Sequence, residues 1–274
     1  MSPADLRRAM EATLHRYHLL GSHPVVEPRA TFTIDPDRPG VWDANHVRSA
    51  RAAIPEEIDE LLDRIEELYG ATDHRRIVAD LDTPDTLEAR LALDGWQLDT
   101  TLQHLLTGDL PEPGPTTAGL TLRPVASDED WADLVAVTRL DHLEEAEKQG
   151  REPWPEALTE QMVGHRRLKA PEMQPWLASI DGEAVGMFSS MPGDNGFGLV
   201  EDLFVDPSAR GKGVALALIA RATADSRERG AGPVIIGSLP NDWPKRLYAR
   251  LGFRPMFLER HWDRAVAPID GIHR

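Results

Sequence analysis

Apolar residues recur along this chain at two spacings, and the spacing changes from segment to segment. In "PEEIDELLDRIEELYG", residues 55–70, Ile58, Leu61, Leu62, Ile65 and Leu68 fall on one face of a helix, and Gly70 supplies the stop. A helix is also expected over about 3–19, and another over "TPDTLEARLALDG", with Thr83 or Asp85 as its cap. Strands are expected at "ATFTID", around "VWDANHV", at "RRIVADL" and at "WQLDTTLQHLLT". After residue 119 the alternation begins again. Strand "GLTLRPV" leads to helix "DEDWADLVAVTRL", a loop "HLEEAEKQGREPW" and a second helical stretch over 153–168. Strand "PWLASI" turns at Asp181-Gly182 into "EAVGMFSSM", a hairpin signal, and "FGLVEDLFV" follows the turn "PGDNG". A helix, strand "PVIIGSL", helix "NDWPKRLYARLG" and strand "RPMFLERHWDRA" complete the order. Hairpins beside a β–α–β unit predict an α/β class with a mixed sheet.

The clearest interruption is "TGDLPEPGPTTAGL", residues 107–120, whose prolines and glycines suit neither helix nor strand. It places a domain boundary near Pro113: a first domain over 1–110, a linker over 111–118 and a second domain over 119–274. Charge narrows the functions. With 46 acidic against 30 basic residues the net charge is −16, which disfavours nucleic acid and anionic membranes as partners and favours cationic small molecules. The chain has no cysteine, so disulfides, thiolate metal sites and an acyl-cysteine intermediate are excluded. His142, His165 and His261 lack metal-ligand spacing, and no metal is expected. The charged N-terminal stretch does not read as a secretory signal, and a cytoplasmic location is expected.

The stretch that carries chemistry is "DPSARGKGVALALI", residues 206–219, directly after an apolar strand. Glycines there let successive backbone N–H groups converge, the following helix adds its positive dipole end, and Arg210 and Lys212 add charge at the rim. The helix presents Ala215, Leu218, Ile219 and Ala222 to the sheet, with Arg221, Asp225 and Glu228 outward. The loop is built for an anion. A Walker A loop needs Ser or Thr after Gly-Lys as a magnesium ligand, and here Gly213 follows Gly211-Lys212. A dinucleotide fingerprint needs a third glycine where Leu216 stands, and an acidic residue where the next strand ends in Ser238.

The run from Arg210 to Ala215 instead resembles the pyrophosphate loop, Gln/Arg-x-x-Gly-x-Gly/Ala, of the GNAT superfamily of N-acetyltransferases. "VEDLFVDPSARGKG" is similar to that family's strand-into-loop passage. "NDWPKRLYARLGF" resembles its later Asn…Leu-Tyr…Gly-Phe motif through Asn241, Leu247, Tyr248, Gly252 and Phe253, with Pro244 in place of a small residue. The resemblance covers about residues 119–265 and implies a GNAT fold with acetyl-CoA as co-substrate. It implies that Arg210, Gly211, Lys212, Gly213, Val214, Ala215 and Asn241 hold the coenzyme. The backbone amides of Leu203, Phe204 and Val205 would pair with the pantetheine arm, one of them serving as an oxyanion donor.

The implied reaction is direct attack of an amine on the thioester within a ternary complex. Tyr248 stands where the family's general acid stands. Glu201 is the favoured base, through water, with Asp202 the next choice or a contact for the substrate's ammonium. The two are adjacent on a strand and face opposite ways unless a bulge, common in this strand of the family, disturbs the alternation. Glu144, Glu145 and Glu147 beside Trp154 offer an acidic, aromatic wall suited to a cationic amine. The expected acceptor is a primary amine of a small molecule; a protein lysine or N-terminus, or a non-catalytic acyl-CoA-binding module, are the alternatives, and a homodimer is compatible with each. Residues 1–110 hold no Arg-x-x-Gly-x-Gly loop. Yet "LEARLALDGWQLDTTLQHLLT" is similar to the end of a GNAT domain, with Gly95-Trp96 where Gly252-Phe253 stands in the other half. The expectation is two GNAT-like domains in tandem, the first having lost the coenzyme loop.

Overall fold

The computed structural model describes residues 1–111, 117–170 and 172–266. The residue Pro113, taken as the boundary, lies outside the described residues, as does most of the expected linker. The chain divides into two compact units, one of residues 1–102 with 257–274 and the other of residues 103–256. The unit boundaries therefore fall inside two strands, Gln97–Leu106 and Arg254–Ala265, and not at 111–118. Among the described residues no helix is long and apolar enough to cross a membrane.

The first unit opens with α1 (Pro3–Leu19), whose N-terminus is closed by a capping box between Ser2 and Asp5. β1 (Val25–Glu27), β2 (Ala30–Thr33) and β3 (His46–Arg48) follow. The strand expected around "VWDANHV" is a 3₁₀ turn at Trp42–Ala44 before the short β3. The cause is Asn45, whose amide donates to the carbonyls of Arg38 and Val41 and accepts from the Asp35 N–H, so the backbone is tied as a loop. α2 (Pro55–Leu68) buries Ile58, Leu61 and Ile65, each stabilising by about 1.5–3 kcal/mol. β4 (His74–Ala79), α3 (Asp85–Leu93) and β5 (Gln97–Leu106) complete the half. Neither Thr83 nor Asp85 caps α3: its N-cap is Pro84, and Thr83 is spent on a turn with Asp80. In this unit β1, β2 and β3 pair antiparallel, β3 and β4 pair parallel across α2, and β4 pairs antiparallel with Arg260–Ala265.

The second unit repeats that succession. β6 (Leu120–Pro124) precedes α4 (Asp128–Gln149) and α5 (Glu156–Lys169). α4 runs nine residues past the expected end, to a left-handed Gly150 at φ 64°, so most of the stretch read as a loop is helix. Its Glu, Ala, Lys and Gln are good helix formers, and the glycine supplies the stop. β7 (Gln174–Ile180) and β8 (Glu183–Pro192) join through Asp181 and Gly182, both at positive φ, the hairpin turn expected of Asp-Gly. β9 (Gly198–Val205), α6 (Val214–Glu228), β10 (Val234–Ser238), α7 (Pro244–Arg250) and β11 (Arg254–Ala265) follow. β6 to β9 pair antiparallel in order, β9 and β10 pair parallel across α6, and β5 lies beside β10. α6 packs Val214, Leu218, Ile219 and Ala222 into a core that also holds Leu106, Val234, Ile236 and Tyr248. Asp225 does not turn outward: its carboxylate accepts from Ser190 Oγ at 2.6 Å and pairs with Arg229 at 3.1 Å.

Candidate active site

The site begins with an irregularity in β9. Opposite β8, Glu201 pairs with Ser189 and Phe204 with Met187, so β9 carries one residue more than its partner over that interval. Asp202 sits there at φ 63°, a left-handed conformation rare outside glycine, and together these mark a β-bulge. On the other edge, parallel pairing with β10 runs through Val200–Ile236 and stops there. From Glu201 onward β9 faces β10 with no ladder among the described residues. The Asp206 amide donates to the Val185 carbonyl on β8. By two-residue alternation the Phe204 amide shares that direction, which leaves Leu203 and Val205 directed to the open edge.

The chain then turns into α6. Asp206 accepts from the Ser208 amide at 2.7 Å, a short 3₁₀ turn spans Pro207–Ala209, and Gly211 and Gly213 sit at φ 75° and 82°. A Cβ on Gly211 would meet nothing within 4 Å, so the demand there is for positive φ and not for space. Gly213 is the N-cap, and the first intrahelical bond runs from the Ala217 amide to its carbonyl at 3.1 Å. The amides from Gly211 to Leu216 meet no backbone acceptor among the described residues. They form the positive end of a helix, a cradle of donors suited to an anion. Arg210 is less free than its place at the rim suggests. Its Nε donates to the Val205 carbonyl at 3.0 Å and its guanidinium pairs with Glu144. Lys212 is exposed, Val214 buried and Ala215 half-buried. Asn241 is exposed ahead of α7, which starts only at Pro244 because proline suits the first helical position.

Tyr248 on α7 is buried, edge-on to His104 at 5.7 Å between ring centroids and tilted against Phe253 at 6.0 Å. Burial, followed by the charges of Glu201 and Asp242, pushes its phenol well above the ordinary range, so it keeps its proton. Glu201 and Tyr248 are thus near enough to feel each other. Asp202 is directed elsewhere: Arg166 on α5 holds it at 3.0 Å and also donates to Thr138 Oγ1 at 3.1 Å. The sequence reading missed Asp141, a half-buried carboxylate on α4. Burial raises it to about 6, with Asp202, Glu144 and Glu145 adding and Arg166 opposing. It lies one residue beyond the expected end of that helix, and helical spacing carried further would have found it.

The acidic wall is differently composed. Glu144 pairs with Lys148 and Arg210, Glu145 accepts from Gln149, and Glu147 is exposed. Arg151 covers the Trp154 ring at 4.2 Å, and His142 meets it edge-on at 4.9 Å. That ring is therefore already occupied by a cation. His142 is pushed down to about 4, first by burial, and its Nδ1 lies 2.8 Å from Thr159 Oγ1.

Residues 137–253 match the model of the acetyltransferase (GNAT) family. Over 184 residues the chain is 33% identical to a mycothiol acetyltransferase from Salinispora tropica, covering 61% of this chain and 53% of that one. The chain thus spans about half the length of this curated relative. Among solved structures, a GCN5-related N-acetyltransferase from Kribbella flavida matches at a TM-score of 0.65 and 20% identity, over 98% of each chain. A conserved protein of unknown function from Staphylococcus epidermidis matches at 0.66 and 14%, over 89% of this chain and 94% of that one. A tandem GNAT protein from the clavulanic acid biosynthesis pathway matches at 0.56 and 17%, over 88% and 79%. At such identities these structures speak to the fold alone, a mixed α/β fold of the GNAT type.

Proposed function

Because residues 137–253 match the acetyltransferase (GNAT) family, we propose that this chain is a GNAT acetyltransferase that moves an acetyl group from acetyl-CoA to a primary amine of a small molecule. The observation that carries the reading is the cradle of amides at Gly211–Leu216 beside the edge of β9 that β10 leaves open after Val200. Gly211, Gly213, Val214 and Ala215 would hold the pyrophosphate, with Lys212 and Arg210 at the rim and Asn241 ahead of α7. Leu203 and Val205 would pair along the pantetheine arm as an added strand does, one amide receiving the developing oxyanion. Acetyl-CoA supplies the activated acetyl group. Tyr248, kept protonated by its surroundings, would give its hydroxyl proton to the departing thiolate. Glu201 would take the proton of the attacking amine through water.

Asp202 already holds Arg166, which supports Glu201 over Asp202 as the base. The small-molecule acceptor is supported by the curated relative, which is named for mycothiol, and by the acidic groups Asp141, Glu144 and Glu145 around the bulge. A panel of primary amines assayed by thiol release tests the proposal. At least one amine should release thiol in proportion to acetylated product, with Tyr248→Phe and Glu201→Gln each lowering kcat by about 10–100-fold. Thiol release that no amine stimulates, or kcat unchanged in both variants, would contradict it.

A further inference from the structure

The buried His104 lies outside the family-matched segment, on the part of β5 that belongs to the second unit. Its Nε2 is 3.0 Å from Ser238 Oγ, its ring meets Tyr248 edge-on at 82°, and its Nδ1 is buried without a partner among the described residues. Ser238 ends β10, two residues past the last pairing with β9, at the open side of the strand pair. His104, Ser238 and Tyr248 are each less than one-tenth exposed. A buried N–H with no acceptor costs more than a buried lone pair with no donor, so the proton belongs on Nε2. His104 then donates to Ser238, and the Ser238 hydroxyl keeps its own proton for an acceptor at the open end of β10.

The geometry points to His104 as a positioning residue that fixes the Tyr248 ring and orients the Ser238 hydroxyl, so that two hydroxyl protons stand on the β10 side of the cleft. This rests on the acetyl-transfer reading and adds to it a residue contributed from before the family-matched segment. Burial alone depresses the imidazole below its ordinary range, which keeps it uncharged near neutrality. The arrangement also argues against Ser238 as a nucleophile. With Nε2 carrying the proton, His104 cannot take one from Ser238, and among the described residues no carboxylate meets Nδ1 to reverse the tautomer.

Two measurements on the full chain separate this inference from the reaction it serves. Long-range ¹⁵N spectra of the imidazoles, with the His104 signals identified by their loss in His104→Gln, need neither coenzyme nor acceptor. They should show a neutral Nε2–H ring near neutral pH, shifted by Ser238→Ala. A His104 that titrates like a free imidazole, or that is unmoved by Ser238→Ala, overturns the inference. Kinetics with the best amine of the panel give the second test. His104→Phe and Ser238→Ala should each lower kcat about tenfold, with KM for acetyl-CoA within about twofold. His104→Gln, whose amide can still donate to Ser238, should recover part of the loss. Unchanged kcat, or an acetylated Ser238 peptide after incubation with acetyl-CoA, also overturns it. Failure of the wild type to bind acetyl-CoA by calorimetry contradicts the proposed function, whatever the spectra show.

Discussion

Asp141 and Asp202 show how two carboxylates of one neighbourhood take different roles. Asp202 is held by Arg166 in a backbone conformation that few side chains adopt, whereas Asp141 is raised to about 6 by burial among other acids. A carboxyl raised above its unfolded value of 3.8 stabilises the fold fully below that value, and the contribution is lost as pH rises through 6. Asp141→Asn should therefore stabilise the protein by about 1–2 kcal/mol at pH 8 and by almost nothing below pH 4, after discounting for partial exposure. Urea denaturation at the two pH values checks it; equal effects at both would contradict the assignment. His15, in the first unit, has the opposite sign. Burial, then the charge of Arg48, depresses it from 6.5 to about 4, so its contribution is present above 6.5 and lost as pH falls toward 4. His15→Gln should flatten the stability profile between those values, and an unchanged slope would contradict that. Glycine chemistry was legible at this scale because it is local: Gly211 and Gly213 took the positive φ that an amide cradle needs. The partners of Arg210 were not, because Glu144 is 66 residues away and reaches it through the fold.

At the scale of elements, the bulge in β9 and the end of its pairing with β10 create the open edge, and the neighbouring strands allow little adjustment. A Cβ on Gly198 would stand 2.0 Å from Ser226 Oγ and 3.0 Å from the Ala231 Cβ, while Ser226 is committed to the Met191 carbonyl at 2.9 Å. Gly198→Ala should cost about 1–3 kcal/mol, read as a lower urea midpoint at constant slope. A midpoint that does not move would mean that this contact is looser than described. The strands and most helices followed from apolar spacing, since one face of each is buried. Where the reading went astray, a side chain or a distant partner decided. Asn45 tied residues 41–45 into a turn, Pro84 displaced the cap of α3, and the charged end of α4 read as a loop although its residues favour helix.

For the whole molecule, the repeated element order was legible, but the unit boundaries inside β5 and β11 were not, because periodicity says which face of a strand is buried and not which strand it pairs with. The second unit draws Gln103–Leu106 from the end of the first half, and the first unit draws the chain from Phe257 onward. A fragment of residues 119–274 lacks Leu106 of the second unit's core, and also His104. Such a fragment should show no cooperative unfolding by calorimetry, and a fragment that unfolds cooperatively and binds acetyl-CoA would contradict this division. The central claim is that the amides of Gly211–Leu216 hold the coenzyme, and calorimetric titration of acetyl-CoA into the full chain and into Gly213→Glu tests it most directly. The account predicts micromolar binding to the wild type, weakened at least about 100-fold by a side chain that adds bulk and negative charge at the N-cap. Equal binding by both proteins, or none by the wild type, would contradict it.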